Sequence, residues 1–181
     1  MKKVLSIIAV ALMVALVFTS CKKEATNTEL LTIEKGWTLT KLTCPQGYGV
    51  NAVTDIYAML DNAGGYECDD VMKFNEDNKE FVNFGEKRYD YEPTGDQYVG
   101  TWKFTNEDET ILECQIPVFG PAANASESNL VSEDKEQCNI ISLDKEQMVL
   151  SHTFTPAEEG TKAGFGQPGK WTFQFTYVPA K

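Results

Sequence analysis

Few side chains in this 181-residue sequence are equipped for chemistry, and their spacing narrows what they can do. Cys44, Cys68, Cys114 and Cys138 are too far apart for the two-to-four-residue ligand spacing of a structural zinc site. Four thiols in an oxidising compartment suggest two disulfides, and three pairings are open to them. His152 is the only histidine, which removes His-pair catalysis and His-rich metal sites. It alternates in phase with Met148, Leu150 and Phe154, so it is expected inside the fold, as a satisfied core residue or as a hydrogen-bond donor to a ligand. Asp69-Asp70, with Asn75, Glu76 and Asp77 nearby, has oxygens for calcium but no EF-hand spacing, and Asp commonly starts a turn or strand. With 27 acidic residues, carboxylates meet by chance, so a glycosidase pair is not inferred. No Gly-x-Ser-x-Gly elbow, phosphate loop or dinucleotide fingerprint is present. The expectation is a protein with no catalytic residue, no metal and no cofactor: not an enzyme.

A fifth cysteine carries a different chemistry. Met1-Lys2-Lys3 is a basic start, residues 4–18 form an apolar run shorter than the roughly 20 residues of a membrane helix, and Thr19 and Ser20 precede Cys21. Phe18-Thr19-Ser20-Cys21 resembles the lipobox of bacterial lipoproteins. That resemblance implies cleavage before Cys21, lipidation of its thiol and acylation of the new amine, with roughly 0.8 kcal/mol of membrane affinity per buried CH₂. Residues 1–20 are then a signal peptide, 21–32 a lipidated tether and 33–181 the folded domain. The expected location is the bacterial cell envelope, lipid-anchored to the outer membrane, with the periplasmic or surface side left open.

The formal charge is −11 and Arg88 is the only arginine, which argues against a nucleic-acid partner. An acidic body does not favour an anionic membrane, so the lipid must anchor it. Apolar residues at 42% and charged residues at 24% place the chain among globular domains.

The elements that must position these residues are strands. Period-two runs fall at 36–42, 70–75, 80–86, 97–105, 110–116, 137–143, 147–154 and 170–178, a count of eight. The clearest is the last, where Trp171, Phe173, Phe175 and Tyr177 alternate with polar residues. One short helix is expected at 51–60, in the first long loop, from the spacing of Val53, Ile56, Tyr57 and Leu60. Short polar turns at 75–79, 106–109 and 144–146 alternate with long connections at 43–69, 87–96, 117–136 and 155–169. In an up-and-down meander that alternation puts every long connection at one end, giving an eight-stranded antiparallel barrel with a decorated rim and a tight base. A two-sheet sandwich also uses short strands and long loops, but does not require the alternation.

Along this frame, Cys21, Gly36-Trp37-Thr38-Leu39, Cys68-Asp69-Asp70-Val71-Met72-Lys73-Phe74, Gly100-Thr101-Trp102-Lys103-Phe104 and Trp171-Thr172-Phe173-Gln174-Phe175-Thr176-Tyr177 together resemble the lipocalin-like lipoproteins of Bacteroidetes. The resemblance spans residues 30–181 and implies an eight-stranded calycin-type barrel that binds small apolar ligands. Relatives often pair the cysteine that stands at Cys68 with one soon after the third strand; none stands there in this chain, so the resemblance leaves Cys44 as the substitute partner for Cys68. Closing that loop is worth roughly 3 kcal/mol in the chain-entropy model. Setting Cys114 opposite Cys138 places Leu112 opposite Ile140 and Ile116 opposite Glu136, which keeps the interior phase.

The interior wall is therefore expected from Trp37, Trp102, Phe104, His152, Phe154, Phe173, Phe175 and Tyr177. These either fill a small barrel or line a pocket. Tyr48, Tyr57, Tyr89, Tyr91, Phe119 and Phe165 fall in the long loops as rim aromatics. Two functions are open: non-covalent binding of a small, mainly apolar ligand in the barrel, or a packed barrel whose rim loops bind an envelope protein or glycan.

Overall fold

The computed structural model describes residues 25–58, 69–83, 85, 95–115, 135–154 and 170–181. Within them the chain is an antiparallel, nearly closed, all-β barrel. Its strands are β1 (Trp37–Tyr48), β2 (Val53–Asp55), β3 (Val71–Phe74), β4 (Lys79–Asn83), β5 (Asp96–Thr101), β6 (Lys103–Phe104), β7 (Ile111–Cys114), β8 (Glu136–Leu143), β9 (Met148–Phe154) and β10 (Trp171–Pro179). The pairing order is β5-β4-β3-β1-β10-β9-β8-β7-β6, with β2 added to β1.

Among the described residues there are ten strand segments rather than eight, for two local reasons. The expected strand at 97–105 is broken at Trp102: β5 pairs with β4 and β6 pairs with β7, so one chain segment serves both ends of the sheet. The Trp102 N–H at the break donates to the Asn78 carbonyl at 3.0 Å. The second addition is β2, which lies inside the expected 51–60 helix. Its pairs with β1, Thr43 with Asp55 and Tyr48 with Val53, win over the helical spacing. Helical backbone begins only at Ile56, where Asp55 Oδ1 accepts the Ala58 N–H at 2.9 Å.

The base is built from three turns, each led by an Asn or Asp whose side chain accepts backbone N–H groups. Asn75 Oδ1 accepts from Lys79, Asn106 Oδ1 from Thr110 and Ile111, and Asp144 Oδ1 from Glu146 and Gln147. A helix, α1 (Asn27–Leu31), covers this end, within the segment read as tether. Thr26 and Glu29 form a reciprocal capping box on it. Leu31 is fully buried, its carbonyl accepts Trp37 Nε1 at 2.9 Å, and Asn27 Nδ2 donates to the Glu109 carbonyl. The chain thus enters the barrel at the base, and the connections after β1, β7 and β9 leave from the opposite rim.

Candidate functional site

Most of the expected interior wall residues are buried together in one core. Trp37, Trp102, Phe173, Phe175 and Tyr177 are all buried in one core with Leu42, Met72, Leu112, Met148 and Leu150, and Phe104 packs partly buried against it. The two tryptophans serve the base. Trp37 is tied to α1, and Trp102 Nε1 donates to the Asn75 carbonyl at 3.1 Å while its ring meets Phe74 and Phe104 edge-on. Phe154 contributes its backbone to β9; its side chain lies outside the described residues. Among the described residues an open groove of about 670 Å³ lies outside the barrel, at the base, between Leu30 and Ile33 on one side and Lys145 and Pro179 on the other.

Tyr48 and Tyr57, expected on rim loops, contribute to the core: Tyr48 is at the rim end of β1 with its ring 5.2 Å from Trp171 and 5.9 Å from Phe173, and Tyr57 packs half-buried on the same cluster. For Tyr48 the reason is the length of β1, which runs to that residue; a bulge between Leu39 and Lys41 moves the inward phase to Leu42, Cys44 and Tyr48. Phe119, Phe165, Tyr89, Tyr91, Cys68 and Cys21 lie outside the described residues. Asp70 accepts the Gly85 N–H at 3.0 Å, a structural use of the Asp69-Asp70 pair.

The polar groups of the interior gather near the rim, on β7, β8 and β9. Their positions follow from register. Leu112 pairs with Cys138 and Cys114 with Glu136, two residues away from the expected Cys114–Cys138 pairing. On the other side Asn139 pairs with Ser151, so Cys138 and His152 occupy the next opposed positions. Cys114, Glu136, Cys138 and His152 therefore form a rhombus on one face of three strands. Cys114 and Cys138 are both buried thiols, not joined to each other.

His152 is the hub. Its Nδ1 donates to the Gln137 carbonyl at 2.9 Å and its Nε2 faces Glu136 Oε2 at 3.1 Å; the His152 side chain is 11% exposed. His152 and Cys114 both act on the ionisation of Cys138. Burial, the largest influence on His152, pulls its pKa down, but the bonds to Cys138, Glu136 and Gln137 outweigh it and push it up to about 10. Cys138 shifts the opposite way: the Cys114 hydrogen bond draws its pKa below the usual thiol value, against burial and with help from His152. Cys114, as the donor and in a buried place, is raised. These shifts favour the proton on His152 over Cys138, with the second thiol, Cys114, beside the pair.

Glu80 completes the polar interior from β4. It is fully buried, and its Oε2 accepts the Gln115 N–H at 2.9 Å. Neither Glu80 nor Glu136 was singled out by sequence reasoning. The available signal was phase: Glu80 alternates with Val82, and Glu136 with Cys138. No group of three or more His, Cys, Asp or Glu among the described residues is arranged to hold a metal ion.

The fold defines the class: a small, nearly closed antiparallel β-barrel whose described inward side chains share one core. Set against family models, curated proteins and solved structures, the chain matches none.

Proposed function

We propose that this is a lipid-anchored envelope protein whose barrel is a packed support, and that the long connections at its rim bind an envelope protein or glycan. The observation that carries this reading is the filled interior: Trp37 and Phe173, two of the expected pocket residues, have no exposed surface at all. A carrier of a small apolar molecule needs a cavity of roughly 300 Å³ or more. The base supports the same orientation. The chain enters beside α1 at the base, so a Cys21 anchor holds that end to the membrane and directs the rim away from it. Val50, at the tip of the turn between β1 and β2, is 94% exposed at the rim.

One observation favours the second reading, a small ligand beneath the rim. The Trp171 Nε1 donor is buried without a partner among the described residues, beside Tyr48 and Phe173. A polar atom of a bound molecule would satisfy it.

Native mass spectrometry of the chain carrying Cys21→Ser, purified from an oxidising compartment, separates the two. A bare protein that takes up no fluorescent apolar probe supports the packed reading. A small-molecule adduct lost on denaturation supports the ligand. A photo-crosslinker placed at Val50 should then trap a defined envelope partner, while one at the barrel-side residue Ile141 should not; equal labelling from both sites overturns the rim.

A further inference from the structure

We propose that Cys114 and Cys138 are a reversible dithiol–disulfide couple inside the barrel, with Cys138 reacting first and His152, held by Glu136 and the Gln137 carbonyl, positioning it and moving its proton. Three features of the geometry carry this. First, the register sets Cys114 and Cys138 on the same face of β7 and β8, both fully buried, and each shifts the other's ionisation. Second, their backbones are diagonal neighbours, since Cys138 opposes Leu112 and not Cys114. Diagonal positions are about 7–8 Å apart at Cα, at or beyond the span of a relaxed disulfide. A bond across that diagonal is strained and therefore readily reduced, unlike a permanent brace. Third, the two sulfurs are not equivalent. Cys138 stands opposite His152 across β8 and β9, whereas Cys114 stands opposite Glu136 across β7 and β8.

Burial selects the oxidant. Neither thiol has exposed surface, so a protein disulfide cannot reach them, and the approach is past His152 and Glu136, whose side chains are 11% and 27% exposed. Hydrogen peroxide or another small hydroperoxide is the oxidant class that needs the smallest opening there, and it reaches Cys138 as the His152 and Glu136 side chains swing aside. The Cys138 thiolate attacks one peroxide oxygen; the O–O bond breaks, a Cys138 sulfenic acid forms, and the departing hydroxide takes the His152 proton and leaves as water. The Cys114 sulfur then attacks the Cys138 sulfur. The S–S bond forms, the S–O bond breaks, and the hydroxyl leaves with the Cys114 proton as a second water. Two thiols are oxidised by two electrons and one peroxide is reduced. A small dithiol reductant resets the pair by exchange, its own sulfurs ending as a disulfide. Glu80 on β4 and Glu136 on β8 are the other ionisable groups acting on the cluster, and Lys135 acts on it only through Glu80.

The test uses the full chain in mild detergent, reduced and then titrated with hydrogen peroxide, and read by intact mass and peptide mapping. One equivalent should remove two hydrogens and link the Cys114 and Cys138 peptides, and a small dithiol should restore them without denaturant. Cys114→Ser should stop at a Cys138 sulfenic acid, trapped by dimedone, and Cys138→Ser should form no link. His152→Gln should slow the first step about tenfold or more near neutral pH and move its pH profile, an effect that loss of packing would not produce; Glu136→Gln should move the same profile with the ring retained. The proposal is overturned if Cys44 or Cys114 oxidises while Cys138 stays intact, if the pH profile ignores His152 and Glu136, or if a Cys114–Cys138 bond yields to reductant only after unfolding. Circular dichroism of each variant separates misfolding from loss of reactivity; where His152→Gln misfolds, Glu136→Gln decides.

Discussion

The carboxyl of Glu80, the residue paired with Gly100, accepts the Gln115 N–H at 2.9 Å, joining β4 to the end of β7 across the strand between them. The relationship exists because that middle strand changes partners at Trp102. Up to Thr101 it pairs with β4, and from Lys103 it pairs with β7, so Gln115 lies past the end of its own ladder. An N–H stranded there needs an acceptor. Glu80 supplies it, and Gly100 makes room: a Cβ at Gly100 would lie 2.4 Å from Gln115 Oε1.

Because Glu80 closes this seam from a buried position, stability should depend on its proton. Burial, first, and the nearby Cys138, more weakly, raise its pKa to about 8, while the Gln115 N–H bond pulls it down. The unfolded carboxyl ionises near pH 4.5. Between those values the folded state holds the extra proton, so stability falls as pH rises, by up to about tenfold in the folding constant per pH unit, and levels off above the upper value. Glu80→Gln keeps an acceptor for Gln115 and carries no charge. Its urea midpoint should vary much less from pH 5 to 9 than that of the parent. Glu80→Ala should cost about 2–4 kcal/mol, since it leaves a buried N–H unpaired and a void. Parallel pH curves for parent and Glu80→Gln would reject the assignment.

How much of this was legible in the sequence varies with the kind of interaction. Period two located nearly every strand, and the Asn- and Asp-led turns at Asn75, Asn106 and Asp144 located the base, because both are local signals. The break at Trp102 is not local. Trp102 keeps its inward phase, so alternation reads straight through a point where the hydrogen-bonding partner changes. The β7–β8 register was also invisible. Leu112, Cys114 and Ile116 are in phase, as are Glu136, Cys138 and Ile140, so a two-residue slip leaves every side chain on the same face. The choice is made by long-range bonds such as Ile140 N–H to the Thr110 carbonyl at 2.8 Å. By contrast α1 left a readable mark, the Thr26-x-x-Glu29 capping box, in a segment taken for tether.

The junction between α1 and the barrel depends on Gly36. Its φ is +73°, and a Cβ there would stand 2.6 Å from the Met72 carbonyl oxygen. The same residue accepts the Ala180 N–H at 3.0 Å, which ties the last strand to the first. Gly36→Ala must strain the backbone and push β3 from β1, so it should cost more than about 2 kcal/mol. Gly100→Ala meets only the end of the flexible Gln115 side chain and should cost less. Guanidinium unfolding of both variants checks the order; equal losses would show that the close approach at Gly36 is relieved elsewhere.

Trp37 joins the same two parts by a hydrogen bond. Its indole N–H is the partner of the Leu31 carbonyl, in a place with no water to replace it. Trp37→Phe keeps an aromatic ring but leaves that carbonyl unpaired and a gap beside it. The expected loss is about 2–4 kcal/mol. Hydrogen exchange should show α1 amides opening sooner than those of β9 and β10. Uniform loss of protection across the barrel would mean that α1 is not a separable cap.

The charge state of the His152 ring sets the character of the thiol cluster. Its folded pKa of about 10 stands above the ordinary 6.5 because hydrogen bonds to Cys138, Glu136 and Gln137 overcome burial. A raised base stabilises the fold fully below pH 6.5, and that contribution disappears as pH climbs through about 10. Across pH 5.5–8.5 the ring should therefore stay an imidazolium, and its nitrogen chemical shifts in NMR should be flat. Glu136→Gln removes the facing negative charge at 3.1 Å and should bring the midpoint down. Cys138→Ser should do the same by removing the thiolate. A parent midpoint near 6.5 would mean a neutral ring at pH 8 and a Cys138 thiol with no counter-charge, and the imidazolium–thiolate pair would have to be abandoned.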